Sequence, residues 1–364
     1  MTMTDGSGGP VFENPSIQPF AGAIMDNLIR QSTFVRFGNR FCQLMALVIV
    51  AVSPALLAKG EGAADFPPGV FSDGGHYQMS DFAGKAVVLF FFESECPKCK
   101  GLIPSRNEVV AKFKDKPVKF IAVGPHNSLQ GVKAYVMETK LAMPVFADNL
   151  NIMETMYGQN ISLKNIYQFR AINGKGHAVP VEFTEASIND AIKGVEWKYK
   201  NKGYNPQLNG IIEMLEWNQF DPAMKQLRPL RKSGSKSLAE SAEKLYQQVK
   251  AETTDWIKDA DKEVEKNPSK AYDTYARVAS MLAGDDLPKE VTEGLKTLKA
   301  NAQVQSEMAA RVSFAQLYSA IPKAQLKQRE QVAQFCQSIV DKHPGTPTAE
   351  KAKAIADAIA KAPQ

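Results

Sequence analysis

Only four cysteines and four histidines occur in 364 residues. That is too few cysteines for the disulfide framework of a small secreted domain. They stand at Cys42, Cys96, Cys99 and Cys336, one close pair and two singletons. A zinc site built on the pair would need two more ligands, and neither Cys336 nor the scattered histidines stand at ligand spacing from it. No long run of one charge sign is present either: 44 basic and 39 acidic residues are interspersed to a net +5, which leaves no stripe to track a phosphate backbone. Nucleic acid is therefore not an expected partner. Long apolar runs are also scarce. The exception, Leu44 to Ala58, is shorter than the roughly 20 residues of a straight spanning helix and contains Pro54. With 44% hydrophobic and 23% charged residues the chain is an ordinary globular one, and its length predicts two folded domains.

Residues 1–24 are Gly-, Ser- and Pro-containing and without period. They read as a disordered N-terminal segment. From Met25 a basic stretch with Arg30, Arg36 and Arg40 precedes the apolar run, and small residues follow at Ala58 and Ala63-Ala64. This is the pattern of an export signal over 25–64, with an uncleaved membrane anchor as its alternative. The expected location is thus extracytoplasmic, in the periplasm or cell envelope, with membrane contact only through that segment if it is retained. Cys42 lies at the start of the apolar run, the wrong end for lipid attachment after cleavage.

Between residues 66 and 194 short apolar runs alternate with helical spacing, the signature of an α/β domain. Val87 to Phe92 and Val118 to Gly124 read as buried strands, with a helix between them carrying Leu102, Ile103, Val109, Val110 and Phe113. A second helix over SLQGVKAYVMETK, a short strand MPVFAD, a hairpin turning at Asn173 to Gly176 and a last helix from Glu185 complete it. Residues 195–207 are polar and read as a linker. From 208 to 364 the text is Ala-, Lys-, Glu- and Gln-rich with helical period, predicting an all-α domain with helices over about 208–231, 236–266, 269–284, 288–320, 323–342 and 347–361. Its end, a helix broken at Pro344-Gly345, resembles a tetratricopeptide-type repeat over a few residues. Trp217, Tyr246, Trp256 and Tyr275 are its core candidates. The helical domain is also read as a surface for a protein partner, which the sequence does not name.

Cys96-Pro97-Lys98-Cys99 directly follows a buried strand and opens a helix. Unpaired N–H groups and the helix dipole favour a thiolate on the first sulfur, so Cys96 is the expected nucleophile. Cys99, one turn on, is placed to resolve a mixed disulfide, and Pro97 suits the first helical position because it has no N–H to satisfy. Lys98 should favour the thiolate, whereas Glu95 and Glu93 should oppose it. Known pairs of this geometry span roughly −270 to −120 mV, so direction is not fixed by the motif. A structural disulfide is the other reading of the pair. Cys336, on an apolar helix face, reads as an inert buried thiol, and His126 as a loop residue without a role.

The stretch YQMSDFAGKAVVLFFFESECPKCKGLIPSRNEV resembles exported TlpA/ResA-type thioredoxin-like proteins of the AhpC/TSA (redoxin) superfamily. Ser80-Asp81, Gly84-Lys85, Cys96, Cys99 and Pro104 match that pattern. The resemblance, over about 66–193, implies a thioredoxin fold with a central mixed sheet, an enzyme that exchanges thiols and disulfides on proteins, an electron donor, and no cofactor or metal. It also implies reduction rather than oxidation. Three positions depart from it. Glu95 replaces the usual aromatic before the first cysteine, Phe90 replaces a buried polar residue, and Tyr167 stands where the family has a cis-proline. A cis bond without proline costs about 2.5–4 kcal/mol, so Tyr167 is expected trans. These departures favour a second reading, a non-catalytic envelope scaffold crosslinked at Cys96 and Cys99. A peroxiredoxin-like peroxidase is a third, but the positions its signature needs hold Leu89, Glu93 and Tyr167.

Overall fold

The computed structural model describes residues 62–125, 128–162 and 164–362. The expected disordered segment, most of the signal or anchor stretch, Cys42 and His126 lie outside the described residues.

Seven consecutive residues without a polar side chain form strand β1 (Ala86–Phe92), and every one is buried. Such a run suits a central strand covered on both faces. It pairs in parallel with β2 (Val118–Pro125), which pairs in parallel with β3 (Val145–Asp148). On its other side β1 pairs antiparallel with β4 (Tyr167–Ile172), and β4 with β5 (Ala178–Pro180), giving the order β3-β2-β1-β4-β5. The two parallel steps are crossed by helices α1 (Pro97–Lys112) and α2 (Leu129–Thr139). Helix α3 (Ile152–Met156) follows β3, and α4 (Glu185–Ala191) follows the hairpin.

Alternation along β1 sorts its side chains between two cores. Val88, Phe90 and Phe92 pack with Ile103 of α1, Tyr135 of α2, Phe169 and Phe183. Val87, Leu89 and Phe91 pack on the opposite face with Phe66, Phe82, Phe146, Met153 and Tyr157. At about 1.5–3 kcal/mol for each fully buried large apolar side chain, this strand alone explains why the sheet centres on it. The fold is that of a thioredoxin-like mixed sheet flanked by helices.

Beyond residue 207 the described chain is all-helical: α5 (Asn209–Glu216), α6 (Phe220–Leu230), α7 (Lys236–Glu263), α8 (Pro268–Met281), α9 (Lys289–Lys299), α10 (Ala302–Ala315), α11 (Leu317–Ala320), α12 (Arg329–Lys342) and α13 (Pro347–Lys361). Two expected single helices are in fact divided, 208–231 into two and 288–320 into three, the last parting at Gln316. The span 208–231 breaks at Asn218, whose φ of 55° is left-handed and ends α5. The span 288–320 breaks at Asn301, whose side chain accepts from the N–H groups of Gln303 (2.8 Å) and Val304 (3.3 Å) and so starts α10. The expected start at 323 moves to Arg329, because 3-10 turns occupy Ile321–Lys323 and Leu326–Gln328. Tyr246 and Tyr275 are core residues, and Trp256 packs against the same cluster. Trp217 instead packs on the sheet side, against Phe82 and Trp197.

Residues 195–207 are not a free tether. Tyr199 is 1% exposed, and the N–H groups of Lys198, Tyr199 and Lys200 all donate to the Glu216 carboxylate at 3.0, 2.6 and 2.7 Å. Glu216 also pairs with Lys85 at the head of β1, at 3.0 Å. At the other end, Leu150 and Ile152 of the sheet half belong to the apolar core of α10 to α13. The Asn149 amide donates to the carbonyls of Ile321 (2.8 Å) and Ala324 (2.6 Å). All described residues accordingly fall within one compact unit. None of their helices is long and apolar enough to cross a membrane.

Candidate functional site

β1 delivers the chain into a tight turn, in which the Glu93 carboxylate accepts the Glu95 N–H at 3.0 Å. Cys96 is the N-cap of α1, in extended conformation (φ −83°, ψ 115°), and Pro97 is the first helical residue. Its carbonyl accepts from the N–H groups of Cys99 (3.1 Å) and Lys100 (3.3 Å). Glu95, Pro97 and Lys98 are exposed around the pair, and Pro104 lies further along α1. The thiols are not joined.

The two sulfurs sit in opposite electrostatic settings. The backbone N–H of Cys99, with a smaller contribution from that of Lys98, holds the Cys96 thiol below the ordinary thiol range, against burial and the Glu93 carboxylate. Lys98 thus acts through its backbone rather than its ammonium group. Burial pushes Cys99 up to about 11, with Cys96 and Glu93 adding to it. The Cys99 thiol donates to the carbonyl of Ile166 at 3.2 Å. That carbonyl precedes Tyr167, so the start of β4 faces the pair. Every described peptide bond is trans, that of Tyr167 included.

Phe90 is 2% exposed and stacks on Phe169 at 5.3 Å, leaving no polar group at that position of β1. Two residues that the sequence did not single out stand nearby. Tyr135 lies against Phe92, ring centroids 4.6 Å apart, and its hydroxyl is buried without a hydrogen-bond partner. Burial, then the charge of Cys99, push that hydroxyl's pKa up. Arg106 of α1 stacks over Tyr167 (5.5 Å), Phe169 (5.2 Å) and Phe183 (5.3 Å), and so fixes the Tyr167 ring against the helix that bears the cysteines. Helical spacing marked both as ordinary helix positions, and nothing local distinguishes them. Lys100 joins α1 to α2 through Glu138 at 2.8 Å. Among the described residues no group of His, Cys, Asp and Glu side chains is disposed to hold a metal.

Residues 61–181 match the AhpC/TSA family. The AhpC/TSA segment therefore carries the thiol pair and all five strands, and the helices from 209 onward lie outside it. The chain is 33% identical over 86 residues to the thiol-disulfide oxidoreductase ResA of Bacillus thuringiensis subsp. konkukian, covering 24% of this chain and 50% of that protein. It is 27% identical over 135 residues to ResA of Oceanobacillus iheyensis, covering 33% of this chain and 70% of that one. The chain thus spans half the length of the first of these relatives. Among solved structures it is similar to a thioredoxin-family thiol:disulfide interchange protein from Chlorobium tepidum (20% identity, TM-score 0.32, 38% of this chain and 97% of that chain).

Proposed function

We propose that this chain is an extracytoplasmic thiol-disulfide oxidoreductase acting on protein disulfides, with Cys96 as nucleophile and Cys99 as resolving thiol. The observation that carries the reading is the placement of Cys96 as the N-cap of α1 with the buried Cys99 one turn on, a setting that displaces the two thiols in opposite directions. The Cys96 thiolate attacks one sulfur of a substrate disulfide, forming a Cys96–substrate bond and releasing the other substrate sulfur as a thiolate. Cys99 then loses its proton and attacks Cys96, which releases the second substrate sulfur and leaves a Cys96–Cys99 disulfide. The substrate is reduced by two electrons, and an electron donor restores the pair. At a pKa near 11 only roughly one Cys99 in ten thousand is ionised at pH 7. Formation of the mixed disulfide removes the Cys96 charge, a smaller contribution than burial to the raised pKa of Cys99, and so eases its deprotonation without abolishing the shift.

The relatives named thiol-disulfide oxidoreductase support thiol-disulfide exchange, and the resemblance to the TlpA/ResA group favours protein substrates and the reducing direction. Leu89, Glu93 and Tyr167 occupy the positions a peroxidatic signature would need, which disfavours peroxide chemistry. Export is supported by the basic stretch and apolar run of 25–64, read as a signal or anchor. Equilibration of the full chain in a glutathione redox series, read by thiol alkylation and mass, tests the reading. A reversible two-electron transition is expected, lost in Cys96→Ser with the fold intact. A pair that resists reduction until the chain unfolds would instead identify a structural crosslink in a non-catalytic scaffold.

A further inference from the structure

Resolution of a mixed disulfide needs an acceptor for the Cys99 proton, which the thiol pair itself does not contain. Cys99 is 1% exposed and so closed off from bulk water. Its proton is directed at the Ile166 carbonyl, which accepts a hydrogen bond but is far too weak a base to carry the proton away. The end of β1, from which the active-site turn departs, is Phe90-Phe91-Phe92 and offers no acceptor either.

Glu93, the next residue, stands where such an acceptor is required. Its N–H donates at 3.0 Å to the same Ile166 carbonyl that the Cys99 thiol meets at 3.2 Å, so the Glu93 main chain and the Cys99 sulfur are neighbours across one oxygen. Two methylene groups carry the carboxylate from that main chain, and its Oε1 accepts the Glu95 N–H at 3.0 Å, which holds it over the turn into Cys96. The side chain is half-buried, between the enclosed thiol and solvent. Charged groups face it from two elements, Cys96 and Cys99 of α1 and Glu154 of α3, and Tyr135 of α2 faces the two sulfurs. Because a carboxylate here opposes a thiolate on Cys96, it does not serve the attacking step. We propose, building on the exchange reaction above, that Glu93 takes the proton of Cys99 when the mixed disulfide is resolved. The proton passes from Cys99 Sγ to the carboxylate, and the thiolate so formed attacks Cys96 Sγ. The bond between Cys96 and the substrate breaks, its electron pair leaves with the substrate sulfur, and that sulfur takes the proton from Glu93.

Stopped-flow reaction of the reduced full chain with dithiobis-nitrobenzoate tests the assignment, because attack by Cys96 and resolution by Cys99 each release one coloured thiolate. Glu93→Gln keeps an oxygen for the Glu95 N–H and should leave the first release unchanged or faster. The second release should slow about a hundredfold at pH 7 and should rise about tenfold per pH unit, as when hydroxide is the remaining acceptor. A purely electrostatic role would do the opposite, since removing the charge eases ionisation of both thiols. Glu93→Asp keeps the carboxylate and should retain the first release and the shallower pH profile of the unsubstituted chain, which decides the matter should Glu93→Gln disturb the turn and lose the first release. A second release that Glu93→Gln leaves unchanged or speeds would overturn the proposal, as would a profile in Glu93→Asp as steep as hydroxide dependence predicts. Absence of any second release from the unsubstituted chain would overturn the exchange reaction itself, and the role of Glu93 with it.

Discussion

Three residues apart on one helix, Cys96 and Cys99 are separated by their surroundings: backbone N–H groups for one sulfur, burial for the other. Alkylation rates followed against pH should therefore show two steps. Cys96 should react below the ordinary thiol range, and Cys99 only as the pH approaches about 11. Simultaneous reaction of both thiols would contradict the described setting. Tyr135 makes a second residue-level test. Its hydroxyl is buried and unpartnered, so Tyr135→Phe should leave stability to urea unchanged or raise it by about 1 kcal/mol. A loss of that size would mean the hydroxyl has a partner. The pair, Pro97 and Pro104 were legible in the sequence because their meaning is local, set by a strand before and a helix after. Arg106 and Tyr135 were not, because their rings and charges meet Phe169, Phe183 and Phe92 only through the sheet.

Elements were legible in proportion to how far composition alone decides them. The all-apolar β1 and the hairpin with its turn at Asn173 to Gly176 fell where expected, the strands at Tyr167–Ile172 and Ala178–Pro180. Helix ends were harder. In the text 208–231 and 288–320 the apolar period runs on unbroken, and one asparagine in each decides the break by its backbone or its cap. Asn301→Ala should cost about 0.5–2 kcal/mol in urea unfolding, the usual penalty for losing an N-cap acceptor. An unaltered midpoint would show that α9 and α10 need no cap to part.

At the scale of the molecule, the sheet and the helices are fastened at two seams, and this is what the sequence concealed. Residues 195–207 read as polar text because the partner of their N–H groups, Glu216, is distant in meaning though near in sequence. Two folded parts sharing cores should unfold in a single calorimetric transition, whereas two resolved transitions would mean the seams are weak. The second seam also carries a pH dependence. Burial pushes Asp148 up to about 6, against the N–H groups of Glu154, Met153 and Ile152 and the Arg329 charge. Burial likewise takes Glu154 to about 7, with Asp148 and Glu93 adding to it and Ile161 N–H and Arg329 opposing. Both folded values lie above those of a free carboxyl, so folding favours the protonated forms. Their contribution is complete below the ordinary carboxyl range and is lost as pH rises through about 6 and 7. Tm should therefore fall between pH 5 and pH 8, and Glu154→Gln should flatten the slope.

The first seam has a consequence for where the chain can be cut. Lys85 is 6% exposed at the entrance of the central strand, and its ammonium group meets Glu216, which the following half supplies. Burial pushes the Glu216 carboxyl up, but the N–H groups of Lys198, Lys200 and Tyr199 and the Lys85 ammonium hold it below its ordinary value. A fragment ending at residue 194 would lose both Glu216 and Trp197 from Lys85, and would uncover the Phe82 ring against which Trp217 packs. The thioredoxin-like half is thus not a portable module. Its transplantable piece runs at least through α5, so the sheet and the start of the helical array must travel together.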